Sequence, residues 1–229
     1  MAASGHGTHV EKLKERSMSS FANRDGGAIV RAMVEAIRQH KQELSDIDGL
    51  IGDGDHGINM DKGFQLCAAE LTDGMTLSES LRLLGSTLME KIGGAMGPLY
   101  GSLFRAMGRA CAKTERIDAA TFEAMLSAAD QQVREVGECE VGDKTLLDVL
   151  SPAREAFAAT IEQDRNFAEA MEAMATAADA GRLATTDMVA KKGRSSRLGE
   201  RSRGVPDAGA TSCCILLTTM AQEARKLLQ

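Results

Sequence analysis

The sequence predicts an all-α fold: one helical domain of eight or nine amphipathic helices joined by short loops. Three observations predict it. The chain of 229 residues holds only three prolines, no tryptophan and one tyrosine, and it is rich in Ala, Leu, Met and Glu, side chains that lose little rotamer freedom in a helix. Apolar residues recur at spacings of three and four over long stretches, as one buried helix face requires. No stretch alternates with the period of two that a half-buried strand needs. A hydrophobic content of 43% is enough to bury a sizeable core at this length.

The first stripe is AIVRAMVEAIRQHKQEL, residues 28–44, where Ile29, Val30, Met33, Val34 and Ile37 share a face. Next comes TLSESLRLLGSTLMEKIGG, residues 76–94. Thr76 and Glu79 have capping-box spacing at its start, and Gly93 and Gly94 supply a left-handed stop. TFEAMLSAADQQVREV (121–136), TLLDVLSPAREAFAATI (145–161) and ATSCCILLTTMAQEARKLL (210–228) continue the pattern. No Pro-, Gly- or Ser-rich linker, fixed-period repeat or low-complexity tract divides the chain. Residues 1–10, small and polar, are expected to be a flexible lead, with the helical domain occupying 11–229.

A formal net charge of -6 and a pI near 5.3 leave no basic surplus for tracking a phosphate backbone, so no nucleic-acid partner is expected. No run of about 18 apolar residues exists and the N-terminus lacks a signal-peptide core, so neither a membrane partner nor export is expected and the location is cytoplasmic. Cys67, Cys111, Cys139, Cys213 and Cys214 lack metal-site spacing and are expected to be reduced, buried small hydrophobes.

Four loops exceed what a helical bundle needs: 45–59, 92–101, 137–145 and 191–210. The first contains GDGDHGINMDKG. Its glycines fit the dinucleotide pattern G-x-G-x-x-G, but Asp53 and Asp55 between them would repel a bare pyrophosphate. Either the stretch is an ordinary Asp/Gly turn or a cation stands between, and Asp48, Asp53 and Asp55 are the hard oxygen ligands Mg²⁺ takes. A calcium loop fails on spacing, because Ile58 and Phe64 fall where Gly and the bidentate Glu belong. His56 is open to three readings: phosphate contact, metal ligand or helix cap.

IGGAMGPLYG can present backbone N–H groups at a helix start, which favours an anion, or can simply allow helices to approach closely. GDKT at 142–145 is not a Walker motif, since Asp143 separates Gly142 from Lys144. Lys191, Lys192, Arg194, Arg197, Arg201 and Arg203 concentrate cations in the last loop. Arginine there matches phosphate geometry, although such a cluster also suits a solvated face.

Taken together, GDGDHGINM, GGAMGPLYG, GDKTLLDV and KKGRSSRLGERS with DAGATS resemble, in order, the L subunits of dihydroxyacetone kinase. The resemblance implies an antiparallel up-and-down barrel of about eight helices, with ADP or ATP and two Mg²⁺ at one end. It implies Asp48, Asp53 and Asp55 as metal ligands. The nucleotide would lie near His56, Gly57, Ile58, Asn59, Ala95, Met96, Gly137, Leu146, Arg194, Asp207, Ala208 and Gly209. Met96, Arg197 and Ala208 depart from the family's usual small hydroxyl residue, tyrosine and proline.

The implied reaction is phosphoryl transfer to a short ketose held by a separate K subunit; in one branch a phosphorylated M subunit recharges the bound ADP. No residue of this chain is assigned as general base. Two alternatives are an ATP-dependent kinase subunit for a related ketose such as a tetrulose, and a nucleotide-sensing regulatory subunit that transfers no phosphate.

Overall fold

The computed structural model describes residues 19–228; the expectation for residues 1–10 lies outside them. Among the described residues the chain forms nine α-helices. These are α1 (Gly27–Gln39), α2 (Lys41–Ile51), α3 (His56–Glu70), α4 (Leu77–Lys91), α5 (Met96–Ala110), α6 (Ala119–Gly137), α7 (Leu147–Glu162), α8 (Phe167–Ala184) and α9 (Ala208–Leu227). Two-residue strands β1 (Phe21–Ala22) and β2 (Arg116–Ile117) pair antiparallel, Phe21 opposite Ile117. Two residues are too few to show an alternating pattern, which is why the sequence does not announce them.

Helices α3 to α9 each pack on the next in sequence, and α9 returns to α1, which also meets α3 and α4, so the ring of helices closes. The stripe predicted as one helix over 28–44 is broken at His40, whose φ of -93° and ψ of 5° start a second axis. The capping box at Thr76 forms as expected, with Glu79 N–H donating to Thr76 Oγ1 at 3.1 Å and Thr76 N–H to Glu79 Oε2 at 2.9 Å. At the other end of α4 the chain leaves in an extended conformation at Ile92, and Gly94 (φ +72°) rather than Gly93 takes the left-handed turn.

The core runs the length of the ring. Phe122, Phe157 and Phe167 cluster with ring centroids 5.3 to 5.8 Å apart, and Phe21 joins through Phe167. This aromatic plug lies near the starts of α6 and α8 and the end of α7, away from the four long loops. All five cysteines are free and buried, as the sequence suggests. Among the described residues no helix is long and apolar enough to cross a membrane.

Candidate functional site

The loop expected over 45–59 is mostly helix. Only residues 52–55 lie between α2 and α3, so Asp48 stands in the last turn of α2 rather than in an acidic loop. Gly54, at φ +76°, turns the chain back, a conformation that costs glycine little. The turn brings Asp53 and Asp55 onto Asp48, and one carboxylate oxygen from each lies within 4.8 Å of the others. Three like charges this close repel one another. Arg194 Nη1 is paired with Asp53 and lies 4.0 Å from Asp55 Oδ2, supplying one positive charge against three negative.

Helix α3 begins beside this cluster. Its N-cap, Asp55, makes no side-chain cap bond, and neither does Ala95 at the start of α5. Uncapped N–H groups at a helix start carry partial positive charge and receive anions. His56 N–H is 3.3 Å from Asp48 Oδ2 and contributes to holding the carboxylate. Its imidazole turns away: Nε2 meets Ser212 Oγ at 2.9 Å, and the histidine is outside the set of converging ligand atoms. Burial pushes the ring down to about 4 despite the opposing pull of Asp48, so the imidazole is neutral at neutral pH.

Ser212 belongs to a wider link. The Tyr100 hydroxyl donates to the Gly209 carbonyl at 2.9 Å and lies 2.7 Å from Ser212 Oγ. One side-chain chain thus ties the start of α3 to the first turns of α5 and α9. Sequence reading missed both members, although Tyr100 is the chain's only tyrosine and Ser212 ends DAGATS.

The other expected contacts sort into surface and support. Ile58 is 51% exposed at the first turn of α3, and Asn59 is partly buried behind it. Gly57 is buried beneath α2: an added Cβ would stand 2.0 Å from the Lys41 carbonyl oxygen. Gly97 shows the same close approach, 2.1 Å from the Ile92 carbonyl oxygen, which supports the packing reading of IGGAMGPLYG. Ala95 is exposed, whereas Met96 is partly buried and packs against the core. Gly137 ends α6 against Leu99, and Leu146, the buried N-cap of α7, lies beside Gly209. Ala208 is buried at the start of α9.

Asp207 caps α9 by accepting from Ala210 N–H at 2.8 Å. Burial pushes its carboxyl up to about 6, against the cap bond and the nearby Lys144 charge. A raised folded-state value means ionising Asp207 destabilises the fold: no penalty exists below the unfolded value near 3.8, and it is complete above about 6. Asparagine caps equally well without the charge. Asp207→Asn is therefore expected to melt higher than wild type at pH 7.5, by at most about 3 kcal/mol, with the gap closing toward pH 4.5. Thermal melts of the metal-free protein across that range check it; a gap independent of pH would contradict the assignment.

The DAK2 domain matches residues 50–222. The chain belongs to the DAK2 domain family. It is 39% identical over 190 residues to the PTS-dependent dihydroxyacetone kinase, ADP-binding subunit DhaL, of Lactococcus lactis, covering 82% of this chain and 91% of that one. A PEP-dependent dihydroxyacetone kinase 1, ADP-binding subunit DhaL, of Listeria innocua is 37% identical, covering 82% and 90%. The D-erythrulose kinase of Mycolicibacterium smegmatis is 35% identical over 89% of this chain, which spans 37% of that kinase.

Among solved structures, the dihydroxyacetone kinase of C. freundii in its native form superposes over 97% of this chain and 38% of its own, with a TM-score of 0.67 at 22% identity. The C. freundii enzyme in complex with AMP-PNP and Mg²⁺ gives a TM-score of 0.64 at 21%. These superpositions establish the helical barrel of this DAK2 domain.

Proposed function

We propose that this DAK2 domain is the nucleotide- and Mg²⁺-binding subunit of a dihydroxyacetone-type kinase. In this reading it passes a phosphoryl group from bound nucleotide to a short ketose held by a separate K subunit. The observation that carries the reading is the convergence of Asp48, Asp53 and Asp55 within 4.8 Å, neutralised only in part by Arg194, beside an uncapped helix start. Hard carboxylate oxygens in excess of their local cation fit Mg²⁺. Names of relatives as ADP-binding subunits of similar length support the nucleotide and the separate partner.

When bound, Mg²⁺ supplies charge neutralisation for the phosphates. The chain's own residues do the positioning, which dominates phosphoryl transfer. Asp48, Asp53 and Asp55 would hold the metal, and the family resemblance implies two ions. Backbone N–H groups at the starts of α3 and α5 take phosphate oxygens. Arg194, which pairs with Asp53, would face the transferring group when cations take over the carboxylates. His56 orients Asp48 through its backbone N–H and is itself held neutral by burial, with its ring fixed on Ser212. The base, if one is used, comes from the K subunit.

Relatives named erythrulose kinases support a C4 ketose as an alternative acceptor. The deciding assay combines the purified chain, its cognate K subunit, Mg²⁺ and either ATP or a phosphorylated M-type donor, with dihydroxyacetone and both erythruloses as acceptors. Sugar phosphate is expected with at least one acceptor. Binding of nucleotide and partner with no product from any combination would favour the regulatory alternative instead.

A further inference from the structure

GDKT contains a lysine that the proposed reaction does not use. Lys144 is 1% exposed and adopts φ +63°, a left-handed conformation unusual for a side chain of its size. Its ammonium donates to the carbonyls of Met188 at 3.1 Å, Ser202 at 2.5 Å and Val205 at 2.7 Å. Three donors meet three acceptors, so none is left for a phosphate. The acceptors stand on both sides of Arg194 in the chain.

Around this ammonium the neck of the last loop is closed by shorter links. Ala190 N–H donates to Ser202 Oγ at 2.9 Å, Gly204 N–H to the Thr186 carbonyl at 2.8 Å and Lys191 N–H to the Asp143 carbonyl at 3.1 Å. Lys144 is in turn held by its own loop, where Asp148 accepts from Gly142 N–H at 2.5 Å and Thr145 N–H at 2.7 Å. Beyond the neck, residues 193–199 begin and end on glycines with positive φ and carry Arg194 to Asp53. The tip is wound as a short 3-10 helix over Ser195–Ser202 that rests on α2, so it is carried as one unit and its reach is set at the neck.

We propose that Lys144 is a positioning residue: it closes the neck of the 188–205 loop and thereby holds the Arg194 guanidinium over the acidic cluster. The inference rests on the proposed function for the role of Arg194, while the closure itself is independent of it. A buried charge satisfied by backbone carbonyls gives a joint that is strong when intact and costly to break.

Limited trypsinolysis of the full chain reads the closure, because Lys191, Lys192, Arg194, Arg197, Arg201 and Arg203 are all cleavage sites and cleavage follows local opening. With Lys144→Met, circular dichroism should keep wild-type helicity while cleavage between 191 and 203 accelerates at least about tenfold. Affinity for Mg·AMP-PNP, read by calorimetry, should fall about tenfold. In an Arg194→Ala background the same substitution should change it by less than about twofold, since residues acting as one unit are not additive.

Equal losses in both backgrounds, or unchanged cleavage, would overturn the proposal. Should Lys144→Met fail to fold, Lys144→Gln, which keeps two donors, takes its place. Loss of helicity in both would make Lys144 a support of the whole core and also overturn it. Absence of Mg·AMP-PNP binding in the wild type would instead remove the proposed function, leaving proteolysis to decide the closure.

Discussion

Asparagine at position 53 is expected to remove Mg²⁺-dependent nucleotide binding while leaving the protein folded. Asp53 is exposed, lies in the four-residue turn between α2 and α3, and is one of three carboxylates converging within 4.8 Å. Loss of groups that merely orient metal ligands costs about 10- to 100-fold in affinity, so loss of a ligand charge should cost more than about 100-fold. Phosphoryl transfer with the K subunit should fall in parallel, because the substitution removes charge neutralisation rather than partner contacts.

The metal-free protein should behave differently. Three adjacent carboxylates destabilise the fold by mutual repulsion, a cost retained where function needs the charge. Asp55→Asn, which loses only an ion pair at 4.0 Å, is accordingly expected to melt no lower than wild type without metal. Calorimetric titration with Mg·ADP and thermal melts with and without EDTA check both halves. Unchanged affinity in Asp53→Asn would remove the cluster from the site.

Gly57→Ala should be the most destabilising single methyl group in the site. In a helix interior alanine is ordinarily better than glycine by about 1 kcal/mol. At Gly57, however, the new Cβ would stand 2.0 Å from the Lys41 carbonyl oxygen, 2.8 Å from Ser45 N and 2.7 Å from Ser45 Oγ. Two of these three atoms are backbone of α2, so the helices must part. Overpacking of this kind costs up to about 3 kcal/mol, which lowers the melting temperature by roughly 6–12 °C in a domain of this size.

The same displacement moves Asp48, carried by α2, out of line with Asp53 and Asp55. Saturating Mg·nucleotide at a hundred times its dissociation constant should add about 2.7 kcal/mol to the wild type and far less to Gly57→Ala. A melting temperature within a degree of wild type would mean that α2 and α3 do not meet as described.

Gly57 also illustrates what was legible. The motif GDGDHG marks the segment where the carboxylates converge, but its third glycine, Gly57, lets α3 pack closely on α2. Chemistry and nearness in sequence single out Asp48, Asp53 and Asp55, and the fold brings all three together. Arg194 was one of six cations in a loop that suited a solvated face equally well; its pairing with Asp53, not its composition, distinguishes it. Lys191 and Arg203 turn instead to Asp143 and Glu200.

By itself the sequence determined most of the helices, the Thr76–Glu79 cap and the family. Apolar periodicity and the Thr76–Glu79 box act over three or four residues, so local order suffices to read them. Tertiary structure alone decided that one stripe breaks at His40, that His56 meets Ser212 across 156 residues of chain and that Lys144 meets Ser202 across 58. Those contacts depend on how the closed ring of helices aligns its ends. No short-range pattern records that alignment, because each partner is chosen by shape and by the hydrogen bonds left over once the core has packed.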